Sequence, residues 1–248
     1  MKILLNTCFL LILSGCQTIQ PPQGFVYKEI STSQFKLASW QKISDINAEY
    51  HIYIEGDGYA FNAWGQPSHN PTPHGELMIK ISFSDKSPNV IYLARPCQFV
   101  TDNKCKAEYW TTKRFSPEVI EAEYEAIKTI SKGKKNSLIG FSGGAQIAGL
   151  VAVKYPDINV SKIITIAGNL NHQTWTEYHH IPSLNGSLNL ADYQDKFALI
   201  PQIHYVGEND EIVPPFLTQQ FLPKAKIIFV KNATHNKGWE KIYPLSFD

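Results

Sequence analysis

Five residues, Gly140-Phe141-Ser142-Gly143-Gly144, constrain this chain more than any others, because of what stands on either side of them. Before them Ser137-Leu138-Ile139-Gly140 is short and apolar, as a buried strand is. After them Ala145, Ile147, Ala148, Leu150, Val151 and Val153 are apolar nearly all round, which predicts a helix from Gly143 to about Lys154 buried against a sheet. A strand that turns into a helix within one residue brings two backbones too close for side chains, and glycine meets that requirement. The bare pattern G-x-S-x-G would arise by chance in roughly one chain in ten of this length. Its setting between strand and helix gives it weight.

The rest of the chain repeats the alternation. Candidate strands are Tyr50-Ile54, Val90-Ala94, Ser137-Gly140, Lys162-Ala167, Ile203-Val206 and Lys226-Val230. A helix is predicted from Ser116 to Ser131, with Ser116 as N-cap, Pro117 in the first turn, and Val119, Ala122, Ala126 and Ile130 along one face. Another should follow Gly75 and end near Asp85. Strands alternating with helices argue for an α/β fold, a mostly parallel central sheet with helices on both faces. The chain of 248 residues suits one such domain, since single cores grow to about 250 residues before splitting. The stretch from Asn169 to Gln194 is the one long irregular segment. A net charge of +1 gives no basic patch, so no nucleic-acid partner is expected.

The pentapeptide in this setting resembles the nucleophile elbow of the α/β-hydrolase superfamily, in which a strained turn lifts a serine off the sheet. The resemblance implies that Ser142 is a nucleophile, that the backbone N–H of Gly143 faces a developing oxyanion, and that an acid and a histidine follow in that order. The chain supplies both. After Ile203-Val206 comes Gly207-Glu208-Asn209-Asp210-Glu211-Ile212-Val213, similar to the superfamily's acid turn, with Asp210 as the expected acid and Glu208 and Glu211 as alternatives. After Lys226-Val230 comes a loop with one histidine, His235. The superfamily draws its second oxyanion donor from a loop after an early strand, commonly at a His-Gly pair. Here Glu55-Gly56-Asp57 takes that place, which makes the N–H of Asp57 the candidate. Ile212 and Val213 are expected to pack down and fix the acid turn.

The first residues carry a different signal. Lys2 precedes an apolar run, Phe9-Leu10-Leu11-Ile12-Leu13, too short to span a bilayer but right for a signal-peptide core. Leu13-Ser14-Gly15-Cys16 resembles the bacterial lipobox, which implies a signal peptide over 1–15, lipid on Cys16, a tether over 16–24 containing Pro21-Pro22, and a domain over 25–248. The expected location is the periplasmic side of a bacterial membrane. Gln17 after Cys16 leans toward the outer membrane by analogy. A secretory signal with a chance cysteine is the alternative.

Two cysteines then remain, Cys97 and Cys105. In an oxidising compartment a bridge between them is expected, contributing about 2–3 kcal/mol, with free buried thiols as the alternative. Further stretches resemble bacterial lipoprotein α/β-hydrolases of unassigned substrate: Tyr92-Leu93-Ala94-Arg95-Pro96-Cys97-Gln98, Tyr109-Trp110, Arg114-Phe115-Ser116 and Ala167-Gly168-Asn169-Leu170. For Arg95, Gln98 and Trp110 a structural role around the disulfide is preferred to a place in the site. His172, His179 and His180 lack a matching carboxylate pattern, so no metal and no cofactor are expected, and Trp175 with this stretch is read as a small lid over Ser142. The resemblance implies a serine hydrolase that cleaves an ester or related acyl bond of a small substrate. A peptidase on short peptides and a non-catalytic envelope protein are the alternatives, and any protein partner is open.

Overall fold

The computed structural model describes residues 20–247. Cys16, the expected signal segment and Asp248 lie outside the described residues. Eight strands form one sheet: β1 Val26–Ser31, β2 Lys36–Ile43, β3 Tyr50–Ile54, β4 Asn89–Leu93, β5 Asn136–Phe141, β6 Val160–Ile166, β7 Gln202–Gly207 and β8 Lys226–Val230. Six helices connect them: α1 Leu77–Ser84, α2 Pro117–Ser131, α3 Gly143–Lys154, α4 His172–Tyr178, α5 Gln194–Phe197 and α6 Pro215–Phe221. The order across the sheet is β1-β2-β4-β3-β5-β6-β7-β8. From β4 to β8 every pairing is parallel, while β1 and β2 run antiparallel at one edge.

The central strands are buried on both faces and alternate between two cores. Ile52, Ile54, Ile91, Leu93 and Leu138 face α2 and α3, packing on Val119, Ala122, Ile127, Ile147 and Leu150. Tyr53, Val90, Tyr92, Ile139 and Ile164 face the other way, toward Met78 and Ile81 of α1 and toward Trp239 and Leu245 near the C-terminus. This is the expected architecture. β3, β8 and α3 have the predicted bounds, and the other predicted strands differ by one or two residues. The sequence reading placed no strand before Tyr50, so β1 and β2 are additions. Ser116 does precede α2, but its side chain makes no capping hydrogen bond. The irregular stretch after Asn169 holds α4 and a 3₁₀ turn at Leu190–Tyr193.

Parallel strands end at a common edge, so the loops after β3, β5, β6, β7 and β8 gather there. Asp57, Ser142, Asp210 and His235 sit in these loops, and Gly143 opens α3.

Candidate active site

Ser142 stands between β5 and α3 with φ 50° and ψ −118°, a backbone conformation that L-residues rarely adopt. Two glycines make the turn possible. A Cβ on Gly140 would lie 2.5 Å from the backbone of Ala145, and one on Gly144 would run into the carbonyl oxygens of Ile54 and Glu55 at the end of β3. The strained turn is held by main-chain bonds from Ser142 N to Ile166 O, 3.0 Å, and from Asn169 N to Ser142 O, 3.0 Å.

His235 meets this serine. Its Nε2 lies 3.0 Å from Ser142 Oγ, and its Nδ1 lies 2.9 Å from Asp210 Oδ2. The Asp210 side chain is fully buried, and its Oδ1 accepts the N–H groups of Ile212 and Val213, each at 2.9 Å. The acid turn is therefore fixed through its main chain. Val213 does pack down, but Ile212 is 47% exposed, against the expectation for its side chain. Glu208 and Glu211 are exposed, and Glu208 accepts the N–H of Asn232. The histidine loop is anchored by the buried indole of Trp239, which donates to the carbonyls of Thr234 at 2.9 Å and His235 at 3.1 Å.

The candidate oxyanion donors, the N–H groups of Gly143 and Asp57, make no hydrogen bond within the described residues. Gly56 packs against Ser142, and the Asp57 carboxylate touches the position a Cβ on Gly143 would take. That carboxylate is clamped between two buried guanidinium groups, Arg95 on one oxygen and Arg114 on the other, the latter at 2.5 Å. Burial by itself would raise the Asp57 carboxyl, but Arg114 and Arg95 outweigh it and hold it below its ordinary value. Arg95 also donates to the carbonyl of Arg114. The neighbouring Glu55 is buried and raised by that burial; it accepts from Tyr92 Oη at 2.6 Å and Gly56 N at 2.8 Å. Beyond Arg95 lies Glu123 of α2, with no hydrogen-bond partner among the described residues and pushed up to about 8 by burial. Burial thus shifts both Glu55 and Glu123 toward the protonated form, while Arg95 and Arg114 flank the Asp57 carboxylate.

Cys97 and Cys105 are bridged, with their Cα atoms 5.6 Å apart. Gln98 serves the framework beside this bridge, its Oε1 accepting from Arg95 N at 3.1 Å and its Nε2 donating to Gly56 O at 3.0 Å, whereas the Arg95 side chain goes to Asp57, next to the candidate site. Trp110 is buried and donates to Ser68 O at 3.2 Å. Arg114, by contrast, had no role assigned from sequence, and it lines the cleft as well as clamping Asp57.

Ser142 and His235 open into a cleft of about 1300 Å³. Tyr59, Phe61, His74 and Arg114 line the side that follows β3 and β4, and Trp175, Ile181, Leu184 and Val213 line the side that follows β6 and β7. The stretch read as a lid is thus a wall of this cleft. Its histidines do separate things. His172 stacks on Phe115 with ring centres 5.8 Å apart, His179 Nε2 lies 2.8 Å from Ile212 O, and His180 is exposed. Trp175 Nε1 donates to the same Ile212 carbonyl at 2.6 Å, which ties α4 to the acid turn.

An elbow serine at the carboxyl edge of a mostly parallel sheet, with helices on both faces, defines an α/β-hydrolase. The family model of serine hydrolase (FSH1) matches residues 82–238, more than half of the chain. The chain belongs to this family and is a serine hydrolase. Solved structures agree on the fold. It is similar to an alpha/beta fold family hydrolase of Bacillus anthracis, 13% identical with a TM-score of 0.56 over 88% of this chain and 95% of the other. It is also similar to an esterase of Pyrococcus furiosus, 17% identical with a TM-score of 0.56 over 88% and 86%. A serine hydrolase homologue of Coxiella burnetii is 14% identical with a TM-score of 0.56 over 88% and 91%. No curated protein matches the chain.

Proposed function

We propose that the chain hydrolyses carboxylic esters of small substrates through Ser142, His235 and Asp210. The observation that carries this reading is the unbroken run of contacts from Asp210 Oδ2 to His235 at 2.9 Å and from His235 to Ser142 Oγ at 3.0 Å, at the mouth of the cleft. Asp210 accepts the Nδ1–H bond and so fixes the tautomer with a free Nε2 lone pair. Ser142 Oγ attacks the ester carbon as His235 Nε2 takes its proton. The negative charge that gathers on the carbonyl oxygen is received by the N–H groups of Gly143 and Asp57. When the tetrahedral centre collapses, the alkoxide leaves with the proton from His235, and an acyl group stays on Ser142. Water then attacks that carbonyl, gives a proton to His235, and releases the acid while Ser142 recovers its hydrogen.

Esters are favoured over peptides by the make-up of the walls. Extended peptides are commonly held by pairing to a strand edge. Of the residues lining the cleft, Phe141 alone belongs to one of the eight strands, and the others come from loops and helices. Matched ester and anilide substrates test this reading. The purified protein should cleave the ester at least about 100-fold faster, a difference of roughly 3 kcal/mol in barrier. Comparable rates on both would shift the assignment to peptide bonds.

The likeness of Leu13-Ser14-Gly15-Cys16 to a lipobox supports a second part of the reading, attachment by lipid on Cys16 to the periplasmic side of a bacterial membrane. Acyl chains on Cys16 in the mass spectrum of the mature protein, lost in Cys16→Ser, would bear this out. A mature N-terminus beginning elsewhere would reject it.

A further inference from the structure

Asn169 occupies a place that its packing does not explain. The chain leaves β6 through Ala167, which is held at φ 48°, left-handed for a residue with a side chain. That turn brings Asn169 N to 3.0 Å from the carbonyl of Ser142, so the residue is fixed against the nucleophile through its main chain. The side chain is not needed for that contact. Asn169 is 6% exposed, and none of the described residues gives its amide a hydrogen bond. Asn169 lines the cleft that holds Ser142 and also a second pocket of about 310 Å³. An amide that makes no hydrogen bond within the protein and borders an open cavity is free to take one from a bound group.

The second pocket says what that group is. Its walls carry Asn169, Asn171, Thr174, Gln194 and Gln220 beside Phe221, with no charged side chain among its lining residues. Asn171 Oδ1 is taken by the N–H groups of Gln173 and Thr174 and by Asn189, and Gln194 Nε2 by the carbonyl of Phe221. Thr174 Oγ1 and the Asn169 amide carry no such bond. A charged ligand group would be desolvated here without a counter-charge, and a purely aliphatic one would leave the amide and hydroxyl unpaired. An uncharged group bearing hydroxyls or an amide satisfies both.

We infer, on the ester hydrolase reading above, that Asn169 is a specificity-determining residue and that the pocket beside it takes an uncharged hydroxyl- or amide-bearing arm of the ester. That arm belongs to the acyl or to the alcohol half, and the test separates the two. On the acyl side, para-nitrophenyl N-acetylglycinate is compared with para-nitrophenyl pentanoate. On the alcohol side, a glucose acetate is compared with cyclohexyl acetate. The wild-type protein should favour the polar member of one pair by roughly 10- to 100-fold in kcat/KM, the range a lost hydrogen bond to a buried amide gives. Asn169→Leu should bring that ratio close to one, and Thr174→Val, which removes a hydroxyl at nearly constant shape, should lower it several-fold. A wild-type ratio near one in both pairs, or a ratio unmoved by both variants, would overturn the inference while leaving ester hydrolysis in place. Absence of turnover on every ester, with Ser142 refractory to a fluorophosphonate probe, would remove both.

Discussion

Asp210 differs from Glu208 and Glu211 less in chemistry than in what its oxygens reach. One oxygen is held by two main-chain N–H groups and the other faces His235, so the carboxylate has a single orientation. Asp210→Asn should keep that geometry while favouring the wrong histidine tautomer, lowering kcat by roughly 10⁴. Glu208→Gln and Glu211→Gln should stay within a few-fold, and a larger loss in either at equal stability would reassign the acid. Arg114 acts at one remove, through Asp57. Arg114→Met should lower kcat by about 10- to 100-fold and leave KM within about 3-fold if the Asp57 N–H receives the oxyanion as proposed, because the loss loosens a donor used only in the transition state. Arg114→Lys should recover part of the loss, and a change confined to KM would contradict the clamp. Ser142, Asp210 and His235 were legible because each follows a strand in a recognisable turn. The clamp was not, since Arg114 and Asp57 stand 57 residues apart and nothing local marks them as partners. The missing partner of Asn169 is likewise a property of three dimensions.

At the scale of elements, the turn from β5 into α3 depends on how closely α3 passes β3. A Cβ on Gly144 meets two main-chain carbonyls, which cannot swing aside as a flexible side chain would. Gly144→Ala should therefore destabilise the fold by about 1–3 kcal/mol, and it should lower kcat as α3 and its Gly143 N–H shift. Denaturant unfolding and steady-state kinetics check both, and an unchanged midpoint with unchanged kcat would show that the turn has room. The parallel strands were easy to read because burial on both faces makes them near-continuous apolar runs. β1 was not, because Ile30 is its one buried residue and the other five face solvent. α4 is short, and its start is set by Asn171 accepting the N–H groups of Gln173 and Thr174 rather than by any long apolar period.

At the scale of the whole molecule, two buried groups set how stability varies with pH. His204 is held down to about 4 by burial, so the folded chain keeps it neutral while the unfolded chain protonates it below 6.5, and stability falls with pH over that interval. Glu123 is pushed up to about 8 by burial, so the folded chain keeps a proton that the unfolded chain loses above 4.5, and stability falls as pH rises toward 8. The two oppose each other between 4.5 and 6.5. A stability plateau is expected there, with a decline above it of a few kcal/mol. Glu55, raised by burial, acts in the same direction as Glu123 as pH rises. Glu123→Gln should flatten the alkaline limb in urea unfolding from pH 5 to 9, and an unaltered limb would mean that Glu123 does not carry it.

The account as a whole rests on Ser142 as the acylated nucleophile. The most direct measurement is peptide-mapped mass spectrometry of the protein after reaction with a fluorophosphonate, set beside ester turnover by Ser142→Ala. The account predicts one phosphonyl group, on Ser142, blocked in the variant, with kcat reduced by roughly 10⁴–10⁶ and the fold retained. Modification at another residue, or near wild-type turnover by folded Ser142→Ala protein, would contradict it.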